Sequence, residues 1–267
     1  MSETQRLKHP GPVAAERIRA VPCIATYRRV KLEAGLTLLQ AMTDAVDGAG
    51  AWFDLTDLPV STLTFVRPAP ATDDCHVAWY SAEKVLNDAT ILHAGAHLGR
   101  RDGAAFAHVH GLWVAADGAR HAGHLLGEAT VLSVDCEVDV WVLEGAVMET
   151  GPDVETGFTL FRPTQKGTVD CPNAVLATIR PNEILEESLA ICASTSGLRV
   201  KAVKGLGSLI GAKLIGQPSL NDRATEVLLT GEAGRAVIAV GFNGPSVVGE
   251  LQSSSLICVT FEALLLS

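Results

Sequence analysis

One order of segments occurs twice in this chain. Leu36, Leu39, Met42, Ala45 and Val46 recur at three- and four-residue steps and predict an amphipathic helix ended by Gly48 and Gly50. After Pro181, the stripe Ile184, Leu185, Leu189 and Cys192 predicts a second helix, stopped at Gly197. β-type sequence follows each helix, at 62–66 in the first instance and at 200–203 and 208–212 in the second. Further on, 89–95 matches 224–231 in outline, and 131–143, carrying Cys136-Glu137-Val138, matches 256–265, carrying Phe261-Glu262-Ala263. The offset narrows from 146 (Leu39 to Leu185) through 135 (Ala89 to Ala224) to 125 (Val131 to Leu256), as a shorter second copy of one unit requires.

Few helices and many strands separated by turns point to antiparallel sheet and away from alternating βαβ units. The expected fold is therefore α+β, an antiparallel β-sheet sandwich with a helix packed on one face, repeated twice. The expected domains are 1–166 and 167–267, divided in the turn-rich stretch 162–172 that holds Pro163, Gly167 and Pro172. Gly205, Gly207 and Gly211 have the spacing G-x-G-x-x-x-G, which is no dinucleotide loop and reads as a strand edge and turn. Hydrophobic residues at 48%, charged residues at 19% and a mean hydropathy of +0.26 exclude general disorder. A net charge of −9 repels phosphate backbones unless the basic residues gather on one face. The six cysteines stand singly, with no C-x-x-C, and read as buried thiols. Residues 1–10 hold no apolar run of a secretory signal. The stretch 256–266, broken by Thr260 and Glu262, is too short to span a bilayer. A cytoplasmic protein with no membrane segment is expected.

The chemistry concentrates at 106–127. Strand side chains alternate faces, so His108 and His110 project to one side, about 7 Å apart along the strand. Asp117-Gly118 signals a hairpin. A three-residue loop at 116–118, with Gly118 left-handed, sets 115 opposite 119, 110 opposite 124 and 108 opposite 126, and brings His124 to the same face. A two-residue turn instead places Leu125 opposite His110 and sends His124 to the other side. Three neutral imidazoles with an open fourth position suit zinc, and iron, nickel or cobalt accept them too. Packed or hydrogen-bonded histidines account for the same residue types without any ion. His121 is expected to face solvent. His93 and His97 are alternative or supporting ligands. Glu137 is placed either to orient a ligand imidazole or at a sheet edge or subunit contact.

The H-V-H at 108–110, the D-G hairpin, G-H-L-L-G at 123–127 and C-E-V at 136–138, preceded by the 36–46 helix and the 90–95 strand, resemble the plants-and-prokaryotes-conserved (PPC) domain. The resemblance covers most of 24–161 and, more faintly, 180–265. It implies an antiparallel α/β sandwich that assembles as a homotrimer, and in plant members the domain is coupled to a DNA-binding AT-hook. This chain has no R-G-R-P core of such a hook, and its nearest basic cluster, 99–103, carries its own acid, Asp102. The same fold superfamily includes the acetolactate decarboxylases, whose H-x-H and later histidine ligate zinc. His108, His110 and His124 are the matching positions, and no other catalytic residue of that enzyme finds a match. Aligning Gly241 with Gly111 puts Ile238 and Val240 where His108 and His110 stand, and the third position falls at Gly249 or Glu250, so the second unit carries no such site. It is expected to be structural, packing on the first unit or forming the subunit interface; a pocket lined by both units is the other arrangement. The expected function is a metal-binding PPC-type protein, either a small-molecule sensor or a metal-dependent enzyme, with a small carboxylate-bearing ligand on the open metal position. The alternatives are a DNA-associated regulator and an oligomerisation protein whose histidines only pack.

Overall fold

The computed structural model of the chain describes residues 6–231 and 234–267; residues 1–5, part of the segment read for a leader, lie outside the described residues. The opening portion runs β1 (Ile18–Leu32), α1 (Leu38–Ala45), β2 (Ala51–Val66), a short hairpin of β3 (Pro68–Ala69) and β4 (Trp79–Tyr80), β5 (Lys84–Arg101), β6 (Ala104–Val114), β7 (Arg120–Leu125), β8 (Val131–Leu132), β9 (Cys136–Glu144), β10 (Ala146–Pro152) and β11 (Thr159–Gln165). There follow β12 (Ala174–Ile179), α2 (Leu185–Ser196), β13 (Ala202–Leu209), β14 (Thr225–Leu229), β15 (Ala236–Val240), β16 (Ser246–Glu250) and β17 (Ile257–Leu266). The fold is α+β and dominated by antiparallel sheet, with one parallel bridge between β10 and β5.

Strands β1, β9, β2, β5, β6 and β7 pair in that order, with α1 between β1 and β2. Strands β12, β17, β13, β14, β15 and β16 pair in that order, with α2 between β12 and β13. The long β1 joins the two paths: Ile18 to Cys23 pair with β12, and Ile24 to Leu32 with β9. Thr37 caps α1 by accepting from Gln40 N at 3.2 Å, and Gly197 ends α2 at φ +67°, a conformation free of Cβ strain only in glycine.

Strand alternation sorts the apolar residues into layers. Phe53, Ala94, Val109, Trp113 and Val140 pack with Leu38 and Met42 of α1. Val175, Val227, Phe261 and Ala263 pack with Leu185, Leu189 and Cys192 of α2. Their strand neighbours Trp52, Leu112, Leu176, Leu228 and Leu264 point the other way and form a third core between the two sheets. The order of layers is helix, sheet, sheet, helix, and the site lies between the sheets.

Three local expectations change. Residues 162–165, read as the start of a turn-rich stretch, belong to β11, an edge strand where Pro163 removes no needed donor. Gly205 and Gly207 lie within β13, an interior strand between β17 and β14 and not a sheet edge, whereas Gly211 does turn the chain, at φ +67°. Cys23, Cys192 and Cys258 are buried, and burial pushes their thiols up to about 12, 11 and 12, but Cys75 and Cys171 are exposed. Among the described residues no helix is long and apolar enough to cross a membrane.

A buried ionic knot ties the opening segment to both parts of the chain. Asp153, 3% exposed, accepts from Arg162, Arg180, Thr156 N and Thr156 Oγ1, while Arg17 bonds Glu155 and Glu183. Burial alone raises the Asp153 pKa, but the Thr156 N–H and the two guanidiniums outweigh it and hold the carboxyl below the usual aspartate value. The folded pKa lies below the unfolded one, so the contribution is present above pH 3.8 and is lost as pH falls through the folded value. Asp153→Asn is expected to cost about 2 kcal/mol near neutral pH. Denaturant unfolding of the two proteins should converge as pH drops below 3.8; a constant gap would place the cost elsewhere.

Candidate metal centre

The hairpin loop between β6 and β7 has three residues. Ala115 N donates to Ala119 O and Gly118 N to Ala115 O, both at 2.9 Å, and Asp117 Oδ1 accepts from Ala119 N. Gly118 takes φ +84°, as this turn requires. His110 therefore stands opposite His124, and Trp113 opposite His121. Because Val109 and Trp113 enter the core beneath α1, His108 and His110 emerge on the other face, between the sheets. Ring centroids are 4.6 Å apart for His108 and His110, 4.8 Å for His108 and His124, and 5.4 Å for His110 and His124. One nitrogen of each ring lies within 4.8 Å of the others.

The partners of the rings fix their tautomers. His110 Nδ1 is 3.0 Å from Val227 O, and a carbonyl only accepts, so Nδ1 carries the hydrogen and Nε2 of the neutral ring presents a lone pair. His108 Nδ1 donates to Glu262 Oε2 at 2.9 Å. The two Nε2 atoms then face each other at 3.1 Å. With both rings neutral, two lone pairs meet, and only a positive centre, a proton or a metal ion, reconciles them. Burial, with His108 adding, holds His110 and His124 well below the ordinary histidine pKa, in the neutral form that ligates. His124 Nδ1 is buried with no hydrogen-bond partner among the described residues. Three imidazoles, two of them oriented through their far nitrogens, fit a divalent transition metal.

The strands of the 174–267 portion supply two carboxylates that the sequence reading did not single out. Glu262 of β17 is 1% exposed. Glu226 of β14 is 5% exposed; its Oε1 lies 4.0 Å from His110 Nε2, its Oε2 has no partner among the described residues, and burial pushes its carboxyl up to about 8. Both alternate with residues of the α2-side core, so both face the histidines. Their signal was a single acid inside an apolar strand. That signal was read at Glu137, which is exposed and pairs with Arg29 at 3.3 Å. The orienting role falls to Glu262, which the matching of Cys136-Glu137-Val138 with Phe261-Glu262-Ala263 had set beside it. Of the two arrangements left open for the second part, these strands form the one in which residues of both portions line a single pocket.

The other histidines stay outside the cluster. His97, opposite His108 on β5, is wholly buried edge-on to Trp52 at 4.6 Å, and burial drives its pKa down to about 3. His93 is half-buried at a bulge in β5, where burial lowers its pKa. His121 lies on the opposite face of β7, half-buried against Phe65, with its Nδ1 2.8 Å from Arg67 Nη2, and so does not simply face solvent.

A cavity of about 320 Å³ opens onto the three histidines, Glu226 and Glu262, walled by Trp79, Tyr80, Phe106, Phe158 and Phe161. Tyr80, from β4, sits edge-on to His124 at 5.4 Å. The residue as a whole is 39% exposed, yet its hydroxyl reaches inward, where burial, then Glu226 and Glu262, raise the phenol pKa.

No protein-family model matches the chain, and neither does any curated protein. Among solved structures it is similar to the metal-containing protein AF0104 of Archaeoglobus fulgidus, at 22% identity over 53% of this chain and 96% of that one, with a TM-score of 0.44. A plant- and prokaryote-conserved (PPC) protein of Pyrococcus horikoshii matches at 16% identity over 54% of this chain and 96% of that one, with a TM-score of 0.40. A protein of Ralstonia eutropha JMP134, provisionally described as DNA-binding, matches at 14% identity over 50% of this chain and 89% of that one, with a TM-score of 0.39.

Proposed function

We propose that the chain is a small-molecule-binding metalloprotein in which His108, His110 and His124 hold one divalent transition metal, zinc ahead of iron, nickel or cobalt. Two PPC-like units, 1–166 and 167–267, build the pocket in this reading, which the two matching strand paths support. The observation that carries it is the pair of Nε2 atoms 3.1 Å apart whose opposite ring nitrogens are already engaged by Glu262 and Val227 O. When bound, the metal supplies Lewis acidity, polarising an oxygen that shares its coordination. The cavity takes a small carboxylate-bearing molecule; support comes from Arg101 at its rim, whose guanidinium stacks 3.6 Å over the Phe106 ring and has no acidic partner among the described ion pairs. The DNA-associated alternative has less behind it, since the three histidines lie between the sheets and the chain carries a charge of −9.

Protein purified without a His-tag should contain about one equivalent of transition metal by elemental analysis. Removing it with a chelator and returning zinc or cobalt(II) at 1,000-fold above Kd should restore about 4 kcal/mol of stability. For a chain of this length that is roughly 8–16 °C in Tm. Metal-free protein whose melting is indifferent to every added ion would overturn the proposal.

A further inference from the structure

Resting on the reading of the cavity as a pocket for a small carboxylate-bearing molecule, we infer that its occupant is a one-ring aromatic acid whose carboxylate docks on Arg101 and not on the metal position. Alternation along β5 turns His97, Gly99 and Arg101 to one face, and His97 and Gly99 stand opposite His108 and Phe106. A Cβ on Gly99 would come within 2.8 Å of the Phe161 ring, so the bare backbone leaves Phe161 room to pack edge-on to Phe106, centroids 5.4 Å apart. Two residues on, Arg101 lays its guanidinium over the Phe106 ring, 3.6 Å from the centroid. Arg101 is the one arginine or lysine lining the cavity. The exposed acids of that lining, Glu83 and Glu128, form no ion pair with it among the described residues. The buried Glu226 and Glu262 stand at the histidine end. A guanidinium held flat on a ring, with no acid on its fork, is a bidentate seat for a carboxylate.

The walls set the rest of the molecule. Trp79 stacks on Phe158 at 5.3 Å with 26° between the rings, and Tyr80 stands edge-on to His124. Trp79 and Tyr80 are 44% and 39% exposed, so ring surface at the cavity is left without cover. Flat rings are covered best by another flat ring. A volume of about 320 Å³ is at the low end for small-molecule sites, room for one ring and its substituents. Phe106 and His108 share a face of β6 about 7 Å apart along the strand. A ring lying along that wall with its carboxylate on Arg101 therefore points its far edge at the histidines.

The test titrates the whole chain calorimetrically with three probes: benzoate, benzamide, which keeps the ring without the charge, and acetate, which keeps the charge without the ring. Zinc-loaded and chelator-stripped samples are compared, with metal content measured first. Benzoate should bind at least about 10-fold more tightly than either other probe, in both samples. Arg101→Gln should bring benzoate down to the level of benzamide and leave benzamide unmoved. Arg101→Lys, which keeps the charge but not the stacked fork, should fall between. Arg101 is exposed, so both variants are expected to fold. Trp79→Leu should weaken benzoate and benzamide together. Acetate binding as tightly as benzoate, or a benzoate affinity that ignores Arg101→Gln and vanishes with the metal, overturns the inference and leaves a carboxylate pocket standing. Benzamide binding as tightly as benzoate, or no binding of benzoate and acetate, overturns both. Wild-type protein that never holds zinc yet prefers benzoate through Arg101 upholds the inference and overturns the metal reading alone.

Discussion

His110→Ala is expected to lose its metal, with affinity falling by more than about 100-fold, beyond the 10- to 100-fold range of losses from the groups that merely orient ligands. His110 is tied to both other rings: its Nε2 lies 3.1 Å from His108 Nε2, and its cross-strand partner is His124. Truncation also strips Val227 O of its donor in a buried place, at a cost of about 1–3 kcal/mol whether or not an ion is present. The two effects separate cleanly. Competition with a chromophoric chelator reports the metal, and denaturant unfolding of the stripped proteins reports the packing. If His110→Ala shows the stability loss and the wild type never held an ion, the histidines are core residues and nothing more.

The second large effect is expected outside the histidine cluster, at Trp52. Its ring is fully buried between the sheets, its Nε1 donates to Asp54 Oδ1 at 2.7 Å, and its edge packs on His97. On β5 of the same sheet, a Cβ on Gly95 would come within 2.5 Å of both the Trp52 ring and Leu228 of the facing sheet, so at this point the sheets approach over an indole and a bare glycine. Alanine at 52 leaves a void that neither sheet can close without moving the other. The expected loss is about 3–5 kcal/mol, read as a lower denaturant midpoint at an unchanged m-value. A loss under about 1 kcal/mol would show that the sheets settle together freely and that this contact does not hold the pocket's shape.

The hairpin was legible because its determinants are local. Asp117-Gly118 fixes the loop, the loop fixes the register, and alternation carries the register seven residues on to His110 and His124. Both helices and their stop signals were local in the same way. The carboxylates were not legible, because Glu262 reaches His108 across 154 positions and Val227 reaches His110 across 117. Nothing in a strand's own pattern says which sheet it will face. An acid in an apolar strand is a signal only once its opposite is known, and so Glu137 was as good a candidate as Glu262 until the sandwich closed. The glycines of β13 misled for a related reason: they read as an edge, but the strand lies between β14 and β17, where a Cβ on Gly207 would strike Thr260 O at 2.4 Å.

The two ends of the path that builds the centre are made at different times. A ribosome releases the β6–β7 hairpin long before it releases β17, so for much of synthesis the three imidazoles lack the acid that aims His108 and the carbonyl that aims His110. On the metal reading proposed above, tight capture of an ion would wait until the closing strand has emerged and docked. A nascent or prematurely truncated chain would then compete poorly for scarce metal, and only the finished molecule would hold it firmly.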